Sequence, residues 1–93
     1  MIDLLATPRL NEDYCARELD SETVFLSPDG RQLFAVNELG TYILSQLDGN
    51  ASLRDVRDGI CARYDVSVEQ AEADLLEFID AMVQRDLLVV EPQ

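Results

Sequence analysis

The sequence predicts an α+β fold, in which a three-stranded antiparallel sheet is followed by three helices. Its first part carries short β-branched and aromatic runs between tight turns, a pattern typical of strands. After Asn37 the spacing of the apolar residues changes from two to about 3.6, which is the helical period. With 93 residues, the chain is long enough for one modest core. We therefore expect residues 1–93 to form a single domain.

The sheet is predicted from three short runs and the turns between them. The strands are expected at residues 14–19, 23–26 and 32–36, after an extended lead-in at residues 1–12. The sequence Ser27-Pro28-Asp29-Gly30 predicts a turn, because proline presets φ, aspartate bonds its own backbone and glycine accepts a positive φ. Short turns between consecutive strands make an antiparallel meander.

The last predicted strand is apolar on both faces, with the run Leu33-Phe34-Ala35-Val36. Such a strand has neighbours on both faces, and in so small a chain one of them can be another molecule. It also ends the meander, so one of its edges is expected to lack an internal partner.

Three polar residues predict where the helices start. Asn37, Ser52 and Ser67 each offer a side-chain oxygen to the first turn of a helix. Asp55 and Gln70 follow the last two of these caps at the spacing of a capping box.

The helix ends and one interior glycine are also predicted. The first helix should end at Gly49, a typical C′ residue, and the third near Arg85, before an extended piece at residues 87–90. Gly40 lies inside the first helix, where it costs roughly 1 kcal/mol relative to alanine. We expect it to allow a close crossing with another backbone.

The third helix carries two apolar surfaces. At roughly 100° per residue, one cluster is expected to face the core. Leu76 and Val83 lie together roughly 90° away, flanked by Glu72 and Asp80. This second stripe either widens the contact with the core or forms the wall of a groove that receives a ligand. The residues expected to face the core are Val68, Ala71, Leu75, Phe78, Ile79 and Met82.

The charge of the chain excludes several partners. The formal charge is −12, from 19 acidic residues against 7 arginines and no lysine. Such a chain repels phosphate backbones and anionic lipid surfaces, so neither nucleic acid nor a membrane is expected as a partner. No apolar run is long enough to cross a bilayer, and the N-terminus is too short and acidic for a signal peptide. The cytoplasm is the expected location.

No catalytic constellation is recognisable. Histidine is absent, which removes the commonest general base and metal ligand, and the glycines are too dispersed for a phosphate loop. We expect no cofactor and no metal site. Cys15 and Cys61 are interpreted as small, half-buried hydrophobic residues in a reducing compartment, with a disulfide or a reactive thiol as the alternative.

A small sheet with three helices also suggests a winged helix-turn-helix architecture. In a DNA-binding member, the third helix lies in the major groove and presents basic or amide side chains. Here it presents five acidic residues and, near its end, only Arg85. The architecture is therefore compatible with a winged helix, but the surface is wrong for nucleic acid.

Several short motifs, in this order and spacing, resemble the PqqD family over roughly residues 8–89. They are Leu-x-Pro-Asp-Gly at residues 26–30, Ala35-Val36-Asn37-Glu38, Ile43-Leu44, Leu47-Asp48-Gly49, Val56 with Ile60, Ala62-Arg63-Tyr64-Asp65-Val66, Asp74-Leu75-Leu76-Glu77-Phe78 and Leu87-Leu88-Val89. This family is known as peptide chaperones in pyrroloquinoline quinone biosynthesis and, more broadly, as the element that recognises precursor peptides of ribosomally made, modified peptides.

The resemblance implies a fold and a function. The fold would be three strands and three helices in a winged-helix-like domain. The leader segment of a precursor peptide would add as a strand to the edge of the third predicted strand, in a cleft beside the third helix. The domain would present this peptide to a modifying enzyme, often a radical S-adenosylmethionine (SAM) enzyme, and would not itself be catalytic.

The residues themselves suggest where such a peptide would bind. Strand addition needs an exposed edge with free N–H and C=O groups, and pockets for alternate guest side chains. The acidic Glu72 and Asp80 would border the groove and favour basic guest residues. One wall is predicted from Gln32, Leu33, Phe34, Ala35 and Val36, and the other from Leu76 and Val83.

Two other functions and an assembly remain open at the level of sequence. An acidic winged-helix protein that binds another protein, such as a regulator, is the main alternative, and a small enzyme is the other. An open edge strand also allows a homodimer. No motif assigns the chain to pyrroloquinoline quinone synthesis rather than to another modified peptide.

Overall fold

The computed structural model describes residues 4–20 and 22–90. It has the predicted α+β architecture, a three-stranded antiparallel sheet followed by three helices, with a short two-stranded ribbon in addition. In chain order the elements are β1 (Arg9–Leu10), β2 (Cys15–Leu19), β3 (Glu22–Leu26), β4 (Leu33–Val36), α1 (Glu38–Ser45), α2 (Leu53–Arg63), α3 (Val68–Gln84) and β5 (Leu88–Val89).

The sheet has the order β2-β3-β4, so both β2 and β4 are edge strands. In its register Phe25 lies opposite Phe34, and Val24 lies opposite Ala35. The turn between β3 and β4 forms as predicted: the Gly30 N–H donates to the Ser27 carbonyl at 3.0 Å, and Gly30 has a φ of +73°.

The lead-in forms backbone hydrogen bonds with two other parts of the fold. Within it β1 pairs with β5, a pairing that the sequence did not predict. The carbonyls of Leu4 and Ala6 accept the N–H groups of Arg54 and Leu53, at 2.9 and 3.0 Å. These are the first donors of α2, which have no partner inside the helix. Residues 1–3 of the predicted lead-in lie outside the described residues.

All three predicted N-caps are confirmed. The Asn37 side chain accepts from the Gly40 N–H at 2.9 Å, and Ser52 forms a reciprocal capping box with Asp55. Ser67 accepts from the Gln70 N–H at 3.1 Å. The Gln70 side chain bonds to Asp74 instead of returning to the cap, so this box is only half formed.

Helix α1 ends earlier than predicted. Its last residue is Ser45, and Gly49 lies beyond it in a turn with a φ of +86°. The cause is a contact distant in sequence: Asp48 forms an antiparallel bridge with Arg9, which requires an extended backbone there. Leu47 is still buried, at 5% exposure.

The core lies between the inner face of the sheet and the helices. Helix α1 packs against β3 and β4, whereas α3 packs mainly against α2 and β5. Val68 was predicted to face the core but is 49% exposed, because residues 68–70 at the start of α3 are all exposed and burial begins at Ala71. The side chains that are nearest to complete burial are Phe25, Ile43, Leu53, Val56, Leu75, Ile79, Leu87 and Pro8.

Gly40 permits a close approach of side chains, not of a second backbone as predicted. A Cβ atom at this position would lie 3.0 Å from the Phe78 ring and 3.0 Å from the Val36 Cβ atom. Gly40 therefore allows α1 to pack closely on a side chain of α3.

Both cysteines are free, and Cys15 is exposed rather than half-buried as predicted. In the described part of the chain, no helix is long and apolar enough to cross a membrane.

Candidate functional site

The hydrogen-bond pattern of β4 determines which of its backbone groups are free. The Ser27 N–H donates to the Gln32 carbonyl at 2.9 Å, which makes this a hydrogen-bonded pair. Such pairs alternate along antiparallel strands, so Phe34 and Val36 direct their backbone groups to β3. Leu33 and Ala35 direct theirs to the open edge, which therefore offers two donors and two acceptors.

The side chains of β4 alternate between two faces. Phe34 and Val36 lie on the inner face, where Phe34 is half-buried and Val36 is 7% exposed. Leu33 and Ala35 lie on the outer face, where both are exposed. A backbone that pairs with this edge would thus meet an aromatic inner side and an aliphatic outer side.

One flank of α3 faces this edge. The Phe78 ring lies close to Gly40 and to Val36 at the end of β4. Two turns later, the Arg85 guanidinium lies 5.2 Å from the centre of the Phe34 ring. Ala81 lies between Phe78 and Arg85 on the same helix face, because it follows the one by three residues and precedes the other by four.

We define the candidate groove as the space between this flank of α3 and the open edge of β4. Strand β4 packs against β3 and α1, while α3 packs mainly against α2 and β5. The groove opens at one end into a cleft of about 460 Å³ between the β3–β4 turn and the end of α3. Its lining includes Tyr14, Gln32, Gln84 and Arg85.

The charged groups near the open end have different partners. Asp29 accepts bonds from the Ser27 hydroxyl and the Arg31 N–H, and these bonds lower the pKa of its carboxyl group. Its charge is thus directed into the turn. Among the described residues no carboxylate forms an ion pair with Arg85, whose guanidinium lies over the Phe34 ring.

The α3 flank that was predicted from the sequence lies elsewhere. Glu72 accepts a hydrogen bond from Arg57 of α2 at 3.0 Å, and this bond is the largest cause of the raised pKa of Arg57. Leu76, one turn later, is half-buried against the core. Glu72 therefore lies on the α2 side of the helix, away from β4.

The other two residues predicted on this flank lie in different surroundings. Val83 lines a cleft of about 430 Å³ that adjoins the cleft at the open end of the groove, since Tyr14, Pro28 and Asp86 line both. Asp80 is exposed and accepts from the Gln84 side chain at 2.9 Å. Of the predicted α3 flank, Val83 is therefore next to the open end of the groove, whereas Glu72 is turned to α2.

Phe78 and Arg85 were not predicted from the sequence as groove residues. Phe78 was assigned to the core, and Arg85 was noted only as an isolated cation. Their spacing of seven residues was the available signal, because it places both on one helix flank. A half-buried aromatic residue at the margin of an apolar stripe can belong either to the core or to the wall of a groove.

Strand β2 provides a second free edge, which differs from that of β4. The backbone groups of Thr23 and Phe25 in β3 bond to β4. The backbone groups of the residues that alternate with them in β3 therefore bond to β2. The backbone groups of Ala16 and Glu18 therefore point away from the sheet. All five residues of β2 are exposed, and the nearby cleft of about 180 Å³ includes Thr41 and Ser45 of α1. Among the described residues that line this cleft, the helical ones belong to α1.

Two curated relatives cover much of the chain. A PqqA binding protein of Xanthomonas axonopodis pv. citri (strain 306) is 29% identical over 85 residues, which are 91% of this chain and 86% of that protein. A PqqA binding protein of Xanthomonas euvesicatoria pv. vesicatoria (strain 85-10) is 28% identical over 65 residues, 70% of this chain and 68% of that protein.

Two solved structures share the fold. TbiB1, in complex with the TbiA(beta) leader peptide, superposes with a TM-score of 0.81 at 26% identity, covering 91% of this chain and 99% of that one. Lasso peptide synthetase B1, complexed with the leader peptide, gives a TM-score of 0.81 at 20% identity, with 90% and 99% covered. At that lower identity the second likeness supports the fold alone.

The family model that describes coenzyme PQQ synthesis protein D (PqqD) matches residues 22–88. The match includes β3, β4 and all three helices, and hence both sides of the groove. The chain belongs to the PqqD family.

Proposed function

We propose that this protein binds the leader segment of a ribosomally synthesised precursor peptide and presents it to a peptide-modifying enzyme, such as a radical SAM enzyme. It performs this role in the cytoplasm and without catalysis of its own. The PqqA binding proteins and TbiB1, a leader-peptide complex, support this role by their relation to the chain.

One observation carries the proposal: the free backbone groups of Leu33 and Ala35 lie beside the α3 flank with Phe78 and Arg85. An extended peptide gains main-chain hydrogen bonds by adding to such an edge, whatever its sequence. The groove then supplies specificity, because alternate side chains of the peptide face it.

The two faces of β4 give the guest strand two sets of contacts. Guest residues opposite Phe34 and Val36 lie on the inner face, against Phe78 and Arg85. Guest residues opposite Leu33 and Ala35 lie on the outer face. Of the site predicted from the sequence, residues 32–36 belong to this proposal, and the α3 side is assigned to Phe78, Ala81 and Arg85.

The two edges of the sheet allow a matched experiment. In Ala35→Pro, the N–H group that points to the free edge of β4 is lost, while the pairing of β4 with β3 is retained. In Ala16→Pro, the equivalent N–H group is lost at the free edge of β2. Both variants are titrated with the leader peptide encoded beside the gene, and circular dichroism checks their folding.

We expect Ala35→Pro to weaken peptide binding about tenfold, since a lost hydrogen bond leaves a peptide carbonyl unpaired. Ala16→Pro should bind the peptide like the unmodified protein. Amide shifts of labelled protein should concentrate in residues 32–36 and around Phe78 and Arg85. Equal losses in both variants, or shifts confined to β2 or α2, would refute the proposed edge.

A further inference from the structure

The outer face of the three-stranded sheet is apolar, although none of the helices in the described part of the chain covers it. Only Arg17 and Glu22 on this face are charged. An antiparallel sheet with one face in water is normally polar on that face. The exposed fraction is 70% for Leu33, 53% for Leu19 and 39% for Leu26. The outer apolar face consists of Cys15, Leu19, Val24, Leu26, Leu33 and Ala35.

This face is continuous with the peptide-binding edge. Leu33 and Ala35 belong to both, because their side chains lie on the outer apolar face while their backbone groups form the free edge of β4. A guest strand on that edge places every second side chain on the same face. The bound peptide therefore extends this side of the sheet by one strand.

The size of the face argues against a second copy of the chain as its occupant. Three strands about 4.8 Å apart, with five residues at about 3.4 Å each, make an area of about 250 Å². A stable complex buries about 800 Å² on each partner. The face fits one part of a larger interface, whose remainder another protein surface and the guest peptide provide.

The charge of the protein points to the same conclusion. Two copies would bring together two chains of −12 each. Asp20 and Glu22 are exposed at one end of the face, next to Leu19. A partner with an apolar centre and a basic rim complements this surface.

We propose that the outer apolar face docks the peptide-modifying enzyme, and that it does so more tightly once the guest strand has extended it. This inference rests on the proposed function, since the guest strand is part of the surface. It assigns the outer face of the sheet to the enzyme, while the free edge of β4 and its inner face hold the peptide.

The test separates the two binding events. In Leu19→Thr/Leu26→Thr, two exposed leucines are replaced by a residue that favours strands. Val68→Thr is the matched control, because Val68 is 49% exposed but lies on α3 outside the sheet. Affinity for the leader peptide, and for the modifying enzyme encoded in the same gene neighbourhood, is measured for each protein. The enzyme is titrated with and without saturating peptide.

The paired variant should bind the peptide as tightly as the unmodified protein does. When loaded with peptide, it should bind the enzyme about tenfold more weakly than the unmodified protein does. The control should match the unmodified protein, whose enzyme affinity should rise with peptide. Leu19→Thr alone repeats the test if the paired variant is unstable, because Leu19 is 53% exposed and lies on β2, away from the peptide-binding edge. Unchanged enzyme binding overturns the inference, as does a dimer that the paired variant dissociates. If the unmodified protein does not bind the leader peptide at all, the proposed function itself is refuted.

Discussion

The hydroxyl group of Tyr14 donates a hydrogen bond of 2.6 Å to the backbone carbonyl of Arg85. The Asn11 side chain makes a similar bond to the carbonyl of Asp86, at 2.8 Å. The segment before β2 thus holds the C-terminal end of α3. Since the Tyr14 ring also meets the Phe34 ring edge-on, at 6.2 Å between centres, this contact sets the width of the groove at its open end.

Replacing Tyr14 with phenylalanine should lower both stability and peptide affinity. The lost hydrogen bond is worth about 1 kcal/mol in the free energy of unfolding. Arg85 would then be less firmly positioned over Phe34, so peptide binding should weaken about threefold, the change that roughly 0.65 kcal/mol produces. Urea unfolding and peptide titration measure the two effects.

Tyr64→Phe is the control for this variant. The Tyr64 hydroxyl is buried and has no hydrogen-bond partner among the described residues. Removing an unsatisfied hydroxyl group should leave stability unchanged or raise it, because a buried polar group without a partner is costly. If both substitutions lowered the free energy of unfolding equally, the hydrogen bond of Tyr14 would not be the cause of the loss.

Replacing Gly40 with alanine should destabilise the protein although alanine favours helices. The gain in helix propensity is about 1 kcal/mol. Against it, the new Cβ atom would lie 3.0 Å from both Phe78 and Val36, and overpacking of this kind costs about 1–3 kcal/mol. The Phe78 ring is the more mobile neighbour, so its displacement into the groove should also weaken peptide binding.

The double variant Gly40→Ala/Phe78→Leu tests this explanation. The smaller side chain leaves room for the new methyl group, so the double variant should be more stable than the sum of the single changes predicts. Thermal unfolding of the four proteins measures the coupling. Additive effects would place the cause outside the contact between Gly40 and Phe78.

Features that depend on neighbours in sequence were predictable. Asn37, Ser52 and Ser67 cap the helices because each cap involves groups only a few residues away. The turn before β4 is equally local, because Pro28, Asp29 and Gly30 set it.

Features set by distant contacts were not predictable. The early end of α1 follows from the bridge between Arg9 and Asp48, which no local pattern encodes. Helical periodicity defines the core direction of α3 and two flanks on either side, but it does not say which flank meets which neighbour. The bond between Arg57 and Glu72 turns one flank to α2, and this leaves Phe78 and Arg85 for β4.

The two flanks of α3 can be compared by single substitutions. Glu72→Gln should lower the melting temperature slightly, because it weakens the pair with Arg57, and it should leave peptide binding unchanged. Arg85→Ala should weaken peptide binding about tenfold, as expected for an arginine that anchors an interface. Calorimetric titration and thermal unfolding give both values. The reverse pattern would assign peptide binding to the flank with Glu72.

Asp29 should make the β3–β4 turn sensitive to acid. Bonds from the Ser27 hydroxyl, the larger cause, and from the Arg31 N–H lower its pKa below the ordinary value of 3.8. A carboxyl group whose pKa is lower in the folded than in the unfolded protein stabilises the fold at pH values above its unfolded pKa. This stabilisation is lost as the pH falls through the folded pKa. Asp29→Asn retains an acceptor oxygen but removes the charge.

The unmodified protein should therefore melt at a higher temperature than Asp29→Asn above about pH 4, and this advantage should disappear below that pH. Thermal unfolding at a series of pH values measures the difference. Asp48 also has a lowered pKa, from bonds with the N–H groups of Ala51 and Asn50, but it is present in both proteins and cancels. Because this turn leads into β4, peptide affinity should fall over the same pH range in the unmodified protein. A melting difference that is constant with pH would show that the Asp29 charge does not stabilise the turn.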